Sequence, residues 1–358
     1  ELSDSISRRK FLSLMGASMA LAGLASCRKP VEKVIPYVQP PEEVIPGVPN
    51  YYATNMPFQN SAYGLVVESH EGRPTKIEGN EMHPSSLGKS NIFMQASTLE
   101  LYDPDRSDAV MQNGAEKTDN QFVTYWRNLY TKYLQNDGQG LAVISRAISS
   151  PTVANLRETF LNEFPDATWV AYEPVSDENF YAGIEQATGQ PLHPVYHFEN
   201  AQVILSIDHD FVMQENENVI NAKRFADGRR VTSEQDSMNR LYSVETAYTL
   251  TGGMADHRMR VKRSEMPAFV AQLITALRGE GVDISGIPSI DTGGDRFDEK
   301  WVRELAIDLM TNTGESLVVA GRSMPAIVHA MVYAINAGLE NNGNAVEYYP
   351  LSDAVTPD

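Results

Sequence analysis

"AQVILSID" occupies residues 201–208. It is a short apolar run closed by an acidic residue, and His209 and Asp210 follow it. A run of this length, bounded by polar residues, reads as a strand. Four others resemble it: "GLAVIS" at 140–145, "TWVAYE" at 168–173, "RLYSVE" at 240–245 and "ESLVVAG" at 315–321. Helices are predicted between and around them, near 119–135, 151–163, 215–227, 264–279, 297–310 and 324–338. Strands alternating with helices imply right-handed crossovers and an α/β fold with a doubly wound, mostly parallel sheet. Asp208, His209 and Asp210 then fall at the C-terminal end of a strand, where open α/β sheets place ligands. Carboxylate and imidazole are metal-ligand chemistry. The same residues also suit a solvated loop or a cap on the next helix.

Working toward the N-terminus, Ala62–Glu78 reads as a β-hairpin. Val66 and Val67 mark its first strand, Glu71-Gly72-Arg73-Pro74 its turn and Thr75–Ile77 its second strand. Before it, "RKPVEKVIPYVQPPEEVIPGVPN" at 28–50 is proline-dense and echoes itself as VIPYV and VIPGV. Proline removes amide donors and fixes φ, so this segment is expected to be extended and to run along a surface. Residues 7–27, "SRRKFLSLMGASMALAGLASC", hold the twin arginines Arg8 and Arg9, an uncharged run and the sole cysteine, Cys27. That is the pattern of a twin-arginine export signal. The run Phe11–Ala25 is shorter than the about 20 residues a spanning helix needs. Leu24-Ala25-Ser26-Cys27 reads as a lipobox, with Cys27 as the lipid attachment point. Lipidation of Cys27 and retention of residues 1–26 are competing outcomes.

The chain therefore divides into a signal and lipobox (1–27), an extended Pro-rich segment (28–60), a small β-rich region (61–117), an α/β lobe (118–282) and a second α/β portion (283–358). The Gly- and Pro-containing stretch 283–296 is the expected loop between two lobes. The last strand has no helix after it, so the second portion is expected to be incomplete.

Composition narrows the function. The 358 residues carry a net charge of −18 and are 42% hydrophobic, enough for a real core. Phosphates would be repelled, which argues against nucleic acid. An acidic surface can attract a basic partner such as a cytochrome c. One cysteine precludes an internal disulfide, a Cys-ligated iron–sulfur cluster and a zinc ribbon. "SSLGKS" at 85–90 ends like a phosphate-binding loop, but His83 stands where the first glycine is needed. No G-x-G-x-x-G, G-x-S-x-G or H-E-x-x-H occurs. Arg258, Arg260, Lys262 and Arg263 form a basic patch whose alternation predicts a strand with its charges on one face. His193 and His197 have i, i+4 spacing, yet Pro194 and the aromatic neighbours predict a turn or strand there.

Two longer stretches resemble the molybdopterin-dependent oxidoreductases. "SHEGRPTKIEGNEMHPSSLGKSN" at 69–91 is similar to their N-terminal hairpin and the Gly-Asn-x-x-His-Pro turn after it. "AIVHAMVYAINAGLENNGNAVEYY" at 326–349 resembles an asparagine- and glycine-bearing helix end of that superfamily. "SRRKFLSLMGAS", "PYVQPPEEVIPGVPNYYAT", "LYDPDRS" and "MADHR" together resemble the large iron–sulfur subunit of alternative complex III. That complex is a membrane-bound quinol oxidoreductase passing electrons to a cytochrome c or a terminal oxidase.

The resemblance implies that this chain is the N-terminal, molybdoenzyme-like half of the subunit and carries no molybdenum cofactor. Iron–sulfur clusters and haem c would lie in the C-terminal half and in partner subunits. Integral membrane quinol-oxidising subunits and multihaem cytochromes c would be the partners. The chain would sit on the periplasmic face of the bacterial inner membrane. Arg8, Arg9 and Cys27 match the family's export and anchoring pattern, and no catalytic residue carries over. Active relatives often place a Cys-rich motif ahead of the hairpin and bind their metal through Cys, selenocysteine, Ser or Asp; here the only Cys lies in the signal. An active molybdopterin-dependent subunit and a lipid-anchored binding protein are the competing expectations.

Overall fold

The structure, a computed structural model, describes residues 12–13, 15–16, 39, 41–58, 61–287 and 296–351. Arg8, Arg9 and Cys27 lie outside the described residues. The chain divides into two units, Glu1–Val48 and Pro49–Asp358. In the first, the described part of the Pro-rich segment forms two successive turns, with Val44 N donating to Pro41 O and Val48 N to Ile45 O.

The second unit begins with β1 (Asn50–Phe58), β2 (Ser61–His70), β3 (Arg73–Gly79) and α1 (Ile92–Glu100). The short pair β4 (Val110–Gln112) and β5 (Ala115–Lys117) follows, then α2 (Asp119–Leu134), β6 (Ala142–Ser145), α3 (Pro151–Glu163) and β7 (Thr168–Ala171). Next come α4 (Glu178–Thr188), β8 (Leu192–Tyr196), β9 (Val203–Ile207), α5 (Asn218–Asp227) and β10 (Arg240–Glu245). The chain continues through the single turn α6 (Leu250–Gly253), β11 (His257–Arg260), α7 (Met266–Gly279) and α8 (Glu299–Thr311). It reaches β12 (Ser316–Ala320), α9 (Ala326–Gly338) and β13 (Val346–Pro350).

Local sequence sets several helix starts. Thr118 and Gln121 make a reciprocal capping box at α2, and Ser150 caps α3 just ahead of Pro151. The Asp298 side chain accepts from Trp301 N at α8.

The four-stranded sheet has the order β11-β10-β9-β12 and is parallel throughout. Every residue of β9 and β12 is buried. Val203, Leu205 and Ile207 face a core with Phe269 and Leu273 of α7, Leu305 of α8, and Val328 and Met331 of α9. Ile204, Leu241 and Leu317 face the other way, onto Phe198, Phe211 and Phe225. Helices on both faces make this a doubly wound α/β layer. β6 and β7 form a separate two-stranded parallel sheet, and β8 pairs antiparallel with β13.

The hairpin expected at 62–78 is part of a larger sheet. The small N-terminal sheet has three strands, because Asn50–Phe58 pairs with Ser61–Ser69 inside the segment expected to be extended. Within the range 283–358, the described elements α8, β12 and α9 belong to the main α/β layer. β12 hydrogen-bonds directly to β9 in the middle of the main sheet, and α8 and α9 cover the same core. The small sheet joins this body through Tyr63, Leu65, Ile77 and Met94, which pack on Val219 of α5, and through Asn91 Nδ2, which donates to Asn218 Oδ1.

Candidate functional site

The strand order creates one distinctive place. From β9 the chain winds outward to β10 and β11, then returns to lay β12 on the other side of β9. The C-terminal ends of β9 and β12 are therefore a switch point, where neighbouring connections leave in opposite directions and open a crevice. A cleft of about 910 Å³ lies there, lined by Asp208 and Asp210 after β9, Thr246–Thr249 after β10, Arg322 and Ser323 after β12, and Asp177, Glu178 and Tyr181 at the start of α4.

The backbones meet closely at its base. Gly321 approaches so tightly that a Cβ would lie 2.0 Å from Asp208 O, so only glycine fits. Asp208 adopts φ +48°, a left-handed conformation that Asp tolerates better than most residues. Its carboxylate accepts from Thr246 N at 2.9 Å and meets Arg263 Nη2 at 3.2 Å. Asp210 is buried, and its Oδ1 accepts from Thr251 N and from Thr251 Oγ1 at 2.7 Å. His209 turns the opposite way into the core, where its ring meets Tyr196 edge-on. The three consecutive residues thus serve three structural ends, and they do not converge on a common ligand. Among the described residues, no group of three or more His, Cys, Asp or Glu could hold a metal.

Arg322 organises the opposite wall. Its Nε lies 3.3 Å from Glu215 Oε2 and 3.4 Å from Asp177 Oδ1, and Asn216 Nδ2 donates to Asp177 Oδ2 at 2.8 Å. Burial pushes the Glu215 carboxyl up to about 7, against the lowering pull of Arg322. Burial likewise lowers His209 to about 3, with the charges of His329 and Arg322 adding to it. His329, buried in α9, is lowered to about 4 by the same desolvation.

The cleft is acidic. Glu173, Asp177, Glu178, Glu185, Asp208, Asp210 and Glu215 all line it. The cations among the described lining residues are Arg146, Arg263 and Arg322. Each is already paired: Arg146 with Glu173 at 3.4 Å, Arg263 with Asp208, and Arg322 with Glu215 and Asp177.

The remaining sequence candidates lie apart from one another. His193 sits on β8 near Glu217, while His197 just past the strand pairs with Glu199 and Glu347. In the basic patch, Arg258 pairs with the buried Glu245, Arg263 with Asp208 and Lys262 with Glu265. Met259 packs on the core between the exposed Arg258 and Arg260, as strand alternation requires. Asp177, Glu215 and Arg322 were not singled out by sequence. Arg322 directly follows an apolar strand, as Asp208 does, but its partners become visible only once the strand order is known. Among the described residues no helix is long and apolar enough to cross a membrane.

No protein-family description matches this chain, and no curated protein matches it. Among solved structures, its fold is similar to that of acetylene hydratase from Pelobacter acetylenicus. The TM-score is 0.53 at 14% identity, over 79% of this chain and 43% of that one. This chain thus spans less than half the length of that structure. The likeness shows a shared α/β fold over the matched part, and at this identity it speaks to fold alone. The formyltransferase/hydrolase complex FhcABCD from Methylorubrum extorquens, in complex with methylofuran, is similar with a TM-score of 0.39 at 15% identity. That match covers 61% of this chain and 55% of that one, and it carries no argument.

Proposed function

We propose that this chain is a cofactor-free, molybdoenzyme-like scaffold within a membrane-bound quinol:electron acceptor oxidoreductase of the alternative complex III type. The observation that carries the cofactor-free reading is the charge of the switch-point cleft. A pterin dinucleotide brings phosphates, which need free cations or a cradle of backbone N–H groups. The described lining offers carboxylates, and its guanidinium groups are engaged in ion pairs. These residues do not fit an anionic cofactor, so no redox step is routed through the cleft.

A rigid body without redox centres still serves electron transfer. Tunnelling needs cofactors held at fixed, short separations, and a packed α/β layer supplies a stiff mount. In this proposal Arg8 and Arg9 direct export and Cys27 carries the lipid that holds the body at the periplasmic face of the inner membrane. The iron–sulfur half, the quinol-oxidising membrane subunits and the multihaem cytochromes c complete the complex.

The test is to isolate the tagged full-length chain from native membranes without dissociating its partners. Haem c and iron in the isolate, with quinol-dependent reduction of cytochrome c, are the expected result. A chain recovered alone and without haem contradicts the assembly. The likeness to acetylene hydratase favours one other reading, an active molybdopterin-dependent subunit, and metal analysis of the same isolate separates the two.

A further inference from the structure

A second, much smaller chamber of about 50 Å³ adjoins the cleft and shares Asp177, Glu215, Asn216 and Arg322 with it. His209 and Asn221 line it as well. Four buried side-chain atoms of this wall have no hydrogen-bond partner among the described residues: His209 Nδ1, Asn216 Oδ1, Asn221 Oδ1 and Arg322 Nη2. His209 is 7% exposed and Asn221 2%. Leaving one such group unsatisfied is costly, and four together would rival the net stability of a domain. Their concentration around one void is therefore evidence of a ligand.

The wall defines what that ligand is. Arg322 donates and opposes a cation, while Asp177, Glu215 and Glu217 accept and oppose an anion. A neutral molecule that both donates and accepts suits all of them. The space is too small for an organic cofactor. A buried water needs roughly 10–15 Å³ of such volume and two to four polar partners. We infer that this chamber is a water site, holding about three ordered waters that link His209 and Asn221 to the Arg322–Glu215 pair.

The consequence is chemical continuity between the open cleft and the core. Glu215, which faces the cleft, is joined through water to the imidazole of His209, which does not. Burial, which holds Glu215 near neutrality and keeps His209 uncharged, makes both sensitive to that hydration. The inference stands whether or not the cleft binds a pterin.

The test is a crystal structure of the full chain at a resolution that shows ordered water, paired with nitrogen-15 spectra of the His209 ring. Density for waters within hydrogen-bond distance of His209 Nδ1, Asn221 Oδ1 and Arg322 Nη2 is the expected result. Asn221→Leu, which keeps the volume but removes a partner, is expected to lose at least one water and to shift the Nδ1 resonance. Asn221→Ser serves should the leucine variant fail to fold, and it is expected to retain the cluster with a smaller shift. An empty chamber in the unaltered chain overturns the inference. So does density that rubidium soaking replaces, which would identify a cation, or an Nδ1 resonance indifferent to both substitutions.

Discussion

Two parallel sheets in this molecule arise from the same kind of sequence and pack in opposite ways. The four-stranded sheet buries all of Val203–Ile207 and Ser316–Ala320 between helices on both faces. The two-stranded sheet of β6 and β7 leaves Ile144 77% exposed, and neither α2 nor α3 has a fully buried residue. Its core consists of Ile148 and Ala171 with Ala154 and Trp169 against them. Phe122, Tyr125 and Trp126 on α2 remain exposed. Parallel strands gain stability mainly when both faces are covered, and two strands with two helices cannot cover both. Alternation of strands and helices therefore reports the fold class, while the number of paired neighbours decides where the stability lies.

That contrast can be broken by mutation. Leu205→Ala, in the central strand, is expected to cost about 2–5 kcal/mol in urea unfolding. Ile144→Ala is expected to cost under about 0.5 kcal/mol. Equal losses would mean that the smaller sheet is as well packed as the larger one. Next in size is Arg322→Met, expected to cost about 3 kcal/mol because it strands Asp177 and Glu215 without their cation. A loss under about 0.5 kcal/mol would show that the ion pairs behave like exposed ones.

Acidity sharpens the picture of the switch point. The folded-state value of Glu215 is raised from an ordinary 4.5 to about 7, so between those values the folded chain keeps a proton that the unfolded chain has released. The contribution of Glu215 to stability then falls as pH rises through this window and levels off above it. The total is on the order of 3 kcal/mol. His209 and His329 act in the opposite sense over an overlapping window, from about 3 and about 4 up to their ordinary 6.5, because the unfolded chain takes up the protons that their buried rings refuse. Glu215→Gln holds the group neutral, so the difference between its urea unfolding series and that of the unaltered chain isolates Glu215. An unchanged pH slope from 4.5 to 7 would show that Glu215 is not buried as described. The smallest expected effect is Trp126→Ser on α2, within about 0.5 kcal/mol. Amide exchange should be faster in 119–171 than in 203–207.

Much of the architecture was legible in the residues themselves. The runs at 201–208 and 240–245 form strands, and the helices start and end within a few residues of their expected limits. Glu178–Thr188 was missed because Gly183 interrupts a short helical pattern. The structure supplies the reason for that glycine: a Cβ there would lie 2.3 Å from Ala326 O on the helix packed against it. Asn50–Phe58 was missed because a proline-dense stretch precedes it and conceals a strand that only β2 completes. Asp208 was legible as a residue at a strand end. Its closeness to Gly321, and the meeting of Arg322 with Asp177 and Glu215, follow from β12 lying next to β9, which no local pattern encodes.

We propose that this α/β body carries a switch-point cleft whose carboxylates and already paired arginines disfavour a pterin cofactor. The most direct test counts molybdenum, tungsten and pterin per copy of this chain in the natively purified protein. A ratio near zero for all three, with iron present in the assembly, is the expected result. A ratio near one pterin and one metal per chain would contradict it and would make the cleft between Asp208 and Arg322 an active site.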